Sequence, residues 1–139
     1  MYEKDVSNRN YASRHHLTSS QELGIHVNPG DICYIDYGSE AYKLEMGLQH
    51  FGLVLTRERG KIFVVPMTSN ERMIEKSQSD PHLYRMPKLG NLRKEGALFL
   101  NDAKWINSAR VIGVMAHLPC DTLLFAGIKS KVIQIIKGE

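Results

Sequence analysis

The chain has 139 residues, 42% of them hydrophobic and 24% charged, with a net charge of +3. That length supports one domain with a real core. No apolar run approaches the ~20 residues of a membrane span, and the polar N-terminus lacks the apolar core of a signal peptide, so a cytoplasmic protein with no membrane association is expected. The charge is too small to name a partner by itself, but Arg57, Arg59, Lys61, Arg72, Lys76, Arg85, Lys88, Arg93 and Lys94 all fall in the middle third. Gathered on one face, they would attract a phosphate backbone; dispersed, they are a solvated surface.

Residues 1–27 read as a polar extension with at most a short helix around Ser19–Leu23, and residues 28–139 as the globular domain. His15 and His16 are adjacent but have no third ligand, and His26, His82 and His117 have no partner at metal spacing, so no metal is expected. Pro29-Gly30-Asp31 is a turn leading into Ile32–Tyr37, whose alternating β-branched and aromatic residues mark a strand. Gly38 to Gly47 is a loop carrying Lys43 and Glu45.

A hairpin follows over residues 50–67. Its first apolar run is Phe51-Gly52-Leu53-Val54-Leu55 and its second Ile62-Phe63-Val64-Val65-Pro66-Met67, with Arg57-Glu58-Arg59-Gly60 as the turn and Gly60 at positive φ. Because a hairpin fixes its ends, His50 and Thr68-Ser69 belong together at the open end of the ribbon. Further on, Glu71–Ser79 is a short helix or loop, His82–Met86 a strand, Pro87–Glu95 a linker, Gly96–Leu100 a strand and Asn101–Asn107 a turn. Arg110–Leu118 reads as the last long strand. The period then changes: Leu124, Phe125, Ile128, Val132, Ile135 and Ile136 fall at helical spacing after the start signals Pro119 and Asp121, with Lys137 suited to the far end of the dipole. Cys33 and Cys120 have no zinc or redox spacing and are expected as buried free thiols. Five or six short strands without βαβ alternation imply a mainly β (α+β) fold, a small curved antiparallel barrel with a C-terminal helix.

Four segments in order resemble the MazF/PemK family of toxin endoribonucleases. Gly30-Asp31-Ile32-Cys33-Tyr34-Ile35-Asp36 is similar to its opening strand, and Glu45 falls on the Glu of its first loop. Val64-Val65-Pro66-Met67-Thr68-Ser69 resembles its Val-Val-Pro-hydrophobic-Thr-Ser/Thr strand end, and Gly96–Ile106 its later strand-and-turn segment. The resemblance spans about residues 28–137. It implies an SH3-like barrel of the MazF/PemK/CcdB type. It also implies the toxin of a toxin–antitoxin system, a homodimer silenced by a cognate antitoxin, cleaving single-stranded RNA (mRNA) sequence-specifically without metal or other cofactor to 2′,3′-cyclic phosphate and 5′-OH ends. The chain departs from the pattern at two places: the family's Arg-Pro is here His50-Phe51, and its acid-Gln pair is Asn101-Asp102.

Such a reaction needs a base for the 2′-OH, an acid for the leaving oxygen and donors for the phosphorane oxygens. A histidine, with an ordinary pKa of roughly 6.5, can perform either proton transfer near neutrality. The expected site is therefore His50 for the proton, Thr68 and Ser69 as phosphate donors, and Glu45 either solvated or positioning His50. Arg57, Lys61, Arg85, Lys104 and Trp105 are the expected RNA contacts, with Lys61 or Arg85 neutralising charge and Trp105 stacking a base. The loss of the family's Arg leaves a second reading open, a catalytically altered or inactive barrel that binds nucleic acid or a protein, as a phage or mobile-element module would.

Overall fold

The computed structural model describes residues 26–38, 49–90 and 92–138. Its strands are β1 (Asp31–Asp36), β2 (Gln49–Glu58), β3 (Lys61–Thr68), β4 (Leu83–Met86), β5 (Gly96–Phe99), β6 (Lys104–Asn107) and β7 (Val111–His117), with helix α1 (Glu71–Lys76) after β3 and helix α2 (Leu123–Lys137) closing the chain. All seven strands join one sheet in the order β4-β5-β3-β2-β1-β7, with β6 also on β3, and every pairing is antiparallel. Strand β3 is the hub. One edge pairs β2; the other is shared, Met67 and Thr68 going to β5 and Lys61–Val64 to β6. A strand that passes from one neighbour to another within eight residues forces the sheet to curl. The expected curved antiparallel fold with a closing helix is what forms.

The apolar runs of β2 and β3 are continuous, not alternating, because both faces are covered. Ile62 and Val64 point into a cluster with Val27, Cys33, Ile35, Tyr37, Val54 and Val111. Val65 and Met67 point the other way, into a cluster with Ile32, Leu53, Leu55, Met86, Leu98 and the buried stripe Phe125, Ile128 and Val132 of α2. Val27, assigned by its sequence to the extension, is 3% exposed in the first cluster, and its carbonyl accepts from Arg57 Nη1 at 2.9 Å.

The β2–β3 turn is tighter than its sequence suggests. The strands run to Glu58 and resume at Lys61, leaving Arg59 at φ 49° and Gly60 at φ 79°. Two central residues at positive φ are the mark of a type I′ turn, whose twist matches the strands it joins. Strand β6 falls where a turn was expected. It is only four residues long and lies between 3₁₀ turns at Leu100–Asp102 and Ser108–Arg110, so no period could announce it; its partners on β3 make it a strand. Helix α2 matches its pattern, except that Thr122 supplies the cap, its Oγ1 accepting from Phe125 N at 3.2 Å, and Ile136 is exposed. Cys33 is buried and Cys120 exposed, both free thiols, so the expectation of burial fails for Cys120, which sits in the exposed turn before the helix. The expected Ser19–Leu23 helix lies outside the described residues. Among the described residues no helix is long and apolar enough to cross a membrane.

Candidate active site

The register of the hairpin decides which groups meet. Phe51 pairs with Met67, so the next residues outward, His50 and Thr68, face each other across the open end. There the chain leaves β3 through two nested side-chain turns. Thr68 Oγ1 accepts from Asn70 N at 3.2 Å, and Asn70 Oδ1 accepts from Arg72 N at 2.9 Å, capping α1. The first bond fixes the Thr68 oxygen while leaving its O–H free to donate, and the second holds Arg72 at the mouth of the same opening.

The result is a cleft of about 600 Å³ into which His50, Thr68, Ser69, Asn70, Arg72 and Lys94 all open. Tyr34 and Phe51 form its apolar wall, their rings edge to face with centroids 5.3 Å apart and planes at 63°. One imidazole, two aliphatic hydroxyls, an amide, two cations and the Glu71 carboxylate thus line one opening, the cations outnumbering the acid. Together these can hold an oxyanion and move a proton. Lys94 arrives from the segment between β4 and β5, and Arg72 from the helix after Asn70. Neither is marked in the sequence beyond its place in the basic middle third; Arg72 is placed by the Asn70 cap, and Lys94 by β5 pairing the end of β3.

The other expected residues are distributed differently. Arg85 lines an adjoining groove with Ser69, Lys88, Arg93 and Lys94 and is tied to Glu95, its Nε donating to Oε2 at 3.0 Å. Lys61 begins β3, seven residues from Thr68, a separation of roughly 23 Å along a strand. Arg57 is held on the Val27 carbonyl near that far end. Lys104 Nζ lies 5.4 Å from the centroid of the Tyr37 ring, and Trp105 is 48% exposed with its edge against Phe63. Arg57, Lys61, Lys104 and Trp105 therefore belong to the hairpin-turn end and β6, and the fold does not bring them to the cleft. Glu45 lies outside the described residues. Among the described residues no group of three or more His, Cys, Asp or Glu is placed to hold a metal ion.

Away from the cleft, Asp31 is a structural carboxylate. It is 6% exposed, with Oδ2 accepting from Asn28 N and Oδ1 from His117 Nδ1, both at 2.8 Å. The Cys33 thiol behind it is pushed up to about 12, first by burial and then by the Asp31 charge. Burial likewise raises the Tyr37 phenol, whose hydroxyl donates to the Phe51 carbonyl at 3.1 Å.

A small curved antiparallel barrel closed by a C-terminal helix, with a polar cleft at the open end of its central hairpin, defines a recognisable class. The fold is that of the MazF toxins. A crystal structure of MazF from Deinococcus radiodurans is similar with a TM-score of 0.61 and 18% sequence identity, over 81% of this chain and 97% of that one. A MazE–MazF structure from the same organism gives 0.58 and 17% over the same shares. An endoribonuclease from a mycobacterial species, solved in complex with its cognate antitoxin, gives 0.56 and 12% over 81% of this chain and 96% of that one. No family model matches the sequence, and no curated protein matches it.

Proposed function

We propose that this chain is a toxin of a toxin–antitoxin pair, an endoribonuclease that cleaves single-stranded RNA without a metal. The observation that carries the reading is the convergence of His50, Thr68, Ser69, Arg72 and Lys94 on one cleft of a MazF fold. In the reaction the ribose 2′-oxygen forms a bond to the adjacent phosphorus and the bond from phosphorus to the 5′-oxygen breaks. His50 accepts the 2′-OH proton, and water protonates the departing 5′-oxygen. Thr68 and Ser69 donate to the phosphorane oxygens while Arg72 and Lys94 balance the developing charge. The products are a 2′,3′-cyclic phosphate and a 5′-OH. Glu45 remains a candidate to position His50, and Arg57, Lys61, Arg85, Lys104 and Trp105 candidates to hold RNA beyond the cleft. A cognate antitoxin, supported by the antitoxin complexes among the similar structures, and a homodimer complete the proposal.

Purified protein incubated with RNA, followed by mapping of the ends, tests this. Wild type should leave cyclic-phosphate ends. His50→Ala should lower the rate by about 10²–10⁴, the usual contribution of one general acid or base, and Thr68→Ala by about 10²–10³, as for loss of one oxyanion donor. If His50→Ala cleaves as fast as wild type, the histidine assignment fails. The identity of residue 50 favours one second reading, a barrel that binds RNA without cutting it, since the resembling family has Arg there. Salt-dependent binding with no cleavage by wild type would establish that reading instead.

A further inference from the structure

Beside the cleft lies a second, more apolar pocket of about 330 Å³, walled by Phe51, Met67, Leu92 and Met115 and rimmed by Arg93 and Lys94. We infer that this pocket takes the nucleobase next to the scissile phosphate and so sets which RNA sequence is cut; the inference rests on the RNA-cleaving reading of the cleft. Four residues, Phe51, Met67, Ser69 and Lys94, line both openings, so a single nucleotide can place its phosphate in one and its base in the other. Phe51 is the partition. Its ring is half-buried and braced by Tyr34 on the cleft side, which presents a fixed aromatic surface for stacking.

The opposite wall is built from elements late in the chain. Met115 comes from β7, and Leu92 from the segment before β5. Gly96 lets β5 close on Met67: a Cβ there would stand 3.0 Å from the Met67 sulfur and 3.1 Å from the Thr68 carbonyl oxygen. Thioethers and aliphatic groups suit a base because they are polarizable and adapt to its edge. The volume falls at the lower end of the roughly 300–1,000 Å³ typical of ligand pockets. Arg93 and Lys94 line the pocket together with Glu95, whose carboxylate is paired with Arg85, so the rim keeps a net positive charge that complements a polyanion and favours a nucleotide over an apolar peptide side chain as occupant.

Hexanucleotides methylated at every 2′-oxygen cannot react, so they separate binding from cleavage. Binding is measured by fluorescence anisotropy with one position at a time made abasic. One position should stand out, its loss weakening binding about 5- to 150-fold, the range for one stacked base. In Met115→Ala and, separately, Leu92→Ala, the gap between intact and abasic oligonucleotides at that position should shrink by at least about twofold, the smallest coupling expected of partners in contact. Cleavable RNAs varied at the same position should change rank order in those variants. A flat abasic scan with wild-type cleavage intact overturns the pocket and leaves the nuclease reading standing. A base-selective scan with no cleavage by wild type leaves a base-binding pocket but overturns its role in choosing a cut site together with the nuclease reading, and no binding at all overturns both. Should either variant change the oligomeric state while base preference stays put, the pocket is a contact between copies and the inference fails.

Discussion

At the scale of single residues, the molecule separates groups that hold the fold from groups that face solvent. Asp31 belongs to the first kind, because its nearly buried carboxylate satisfies the Asn28 N–H and the His117 ring. Asp31→Ala should lower unfolding free energy by about 1–3 kcal/mol, the cost of orphaning a buried donor, in urea titration. His117→Ala should cost only about 0–1 kcal/mol, since that ring is half exposed and the pair is screened from one side. Cys33 makes a pH prediction. The native thiol ionises only near 12, against an ordinary 9.0, so between those values the unfolded chain releases a proton that the native state keeps. Stability is therefore intact below pH 9 and falls as pH rises through that window, and Cys33→Ser should flatten the fall in denaturation measured across it. In the native protein at pH 8, a thiol reagent should label Cys120 alone, with Cys33 reacting only after unfolding. The catalytic assignment also sits at this scale. Val-Val-Pro-Met-Thr-Ser pointed to Thr68 and Ser69 in the sequence, and His50 followed from strand pairing. Arg72 was not singled out although the Asn70 cap places it locally, and Lys94 was not because its place depends on where β5 docks.

At the scale of elements, turns and caps carry predictions that packing does not obscure. Arg59 occupies a positive φ that suits Asn far better. Arg59→Asn should stabilise the hairpin by about 0.5–1 kcal/mol, read as a rise in urea midpoint at unchanged m-value. Thr122→Ala should cost about 0.5–2 kcal/mol through loss of the α2 cap. Ile128→Ala should cost more, about 2–5 kcal/mol, because Ile128 is fully buried between helix and sheet. The elements legible in the sequence were β1, the hairpin, β7 and α2, which have length or period, and the short strands β4 and β5, whose apolar residues are set off by Pro81, Pro87 and Gly96. Strand β6 was not, because four residues between 3₁₀ turns carry no period, and its identity comes from hydrogen bonds to β3.

For the whole molecule, the distribution of charge makes a prediction from the proposed function. If Arg72, Arg93 and Lys94 all meet phosphates, binding of a single strand should weaken with salt at a logarithmic slope of about −2, near −0.7 per contact, and Lys94→Ala should reduce the slope by about 0.7. The basic residues of the middle third do not share one face. Arg72, Lys88, Arg93 and Lys94 surround the cleft and its adjoining groove, whereas Arg57, Arg59 and Lys61 lie at the far end of the hairpin. One part of this was open to the sequence and one was not. The sequence by itself determined the class of fold, the central hairpin and the meeting of His50 with Thr68 and Ser69, because alternation, turn chemistry and antiparallel register are local. Only the tertiary structure decided which cations stand beside them and that an apolar pocket opens behind Phe51. Those features arise where β3 exchanges one neighbour for another and β5 and β7 converge on its end, and contacts between segments so far apart in the chain leave no pattern along it.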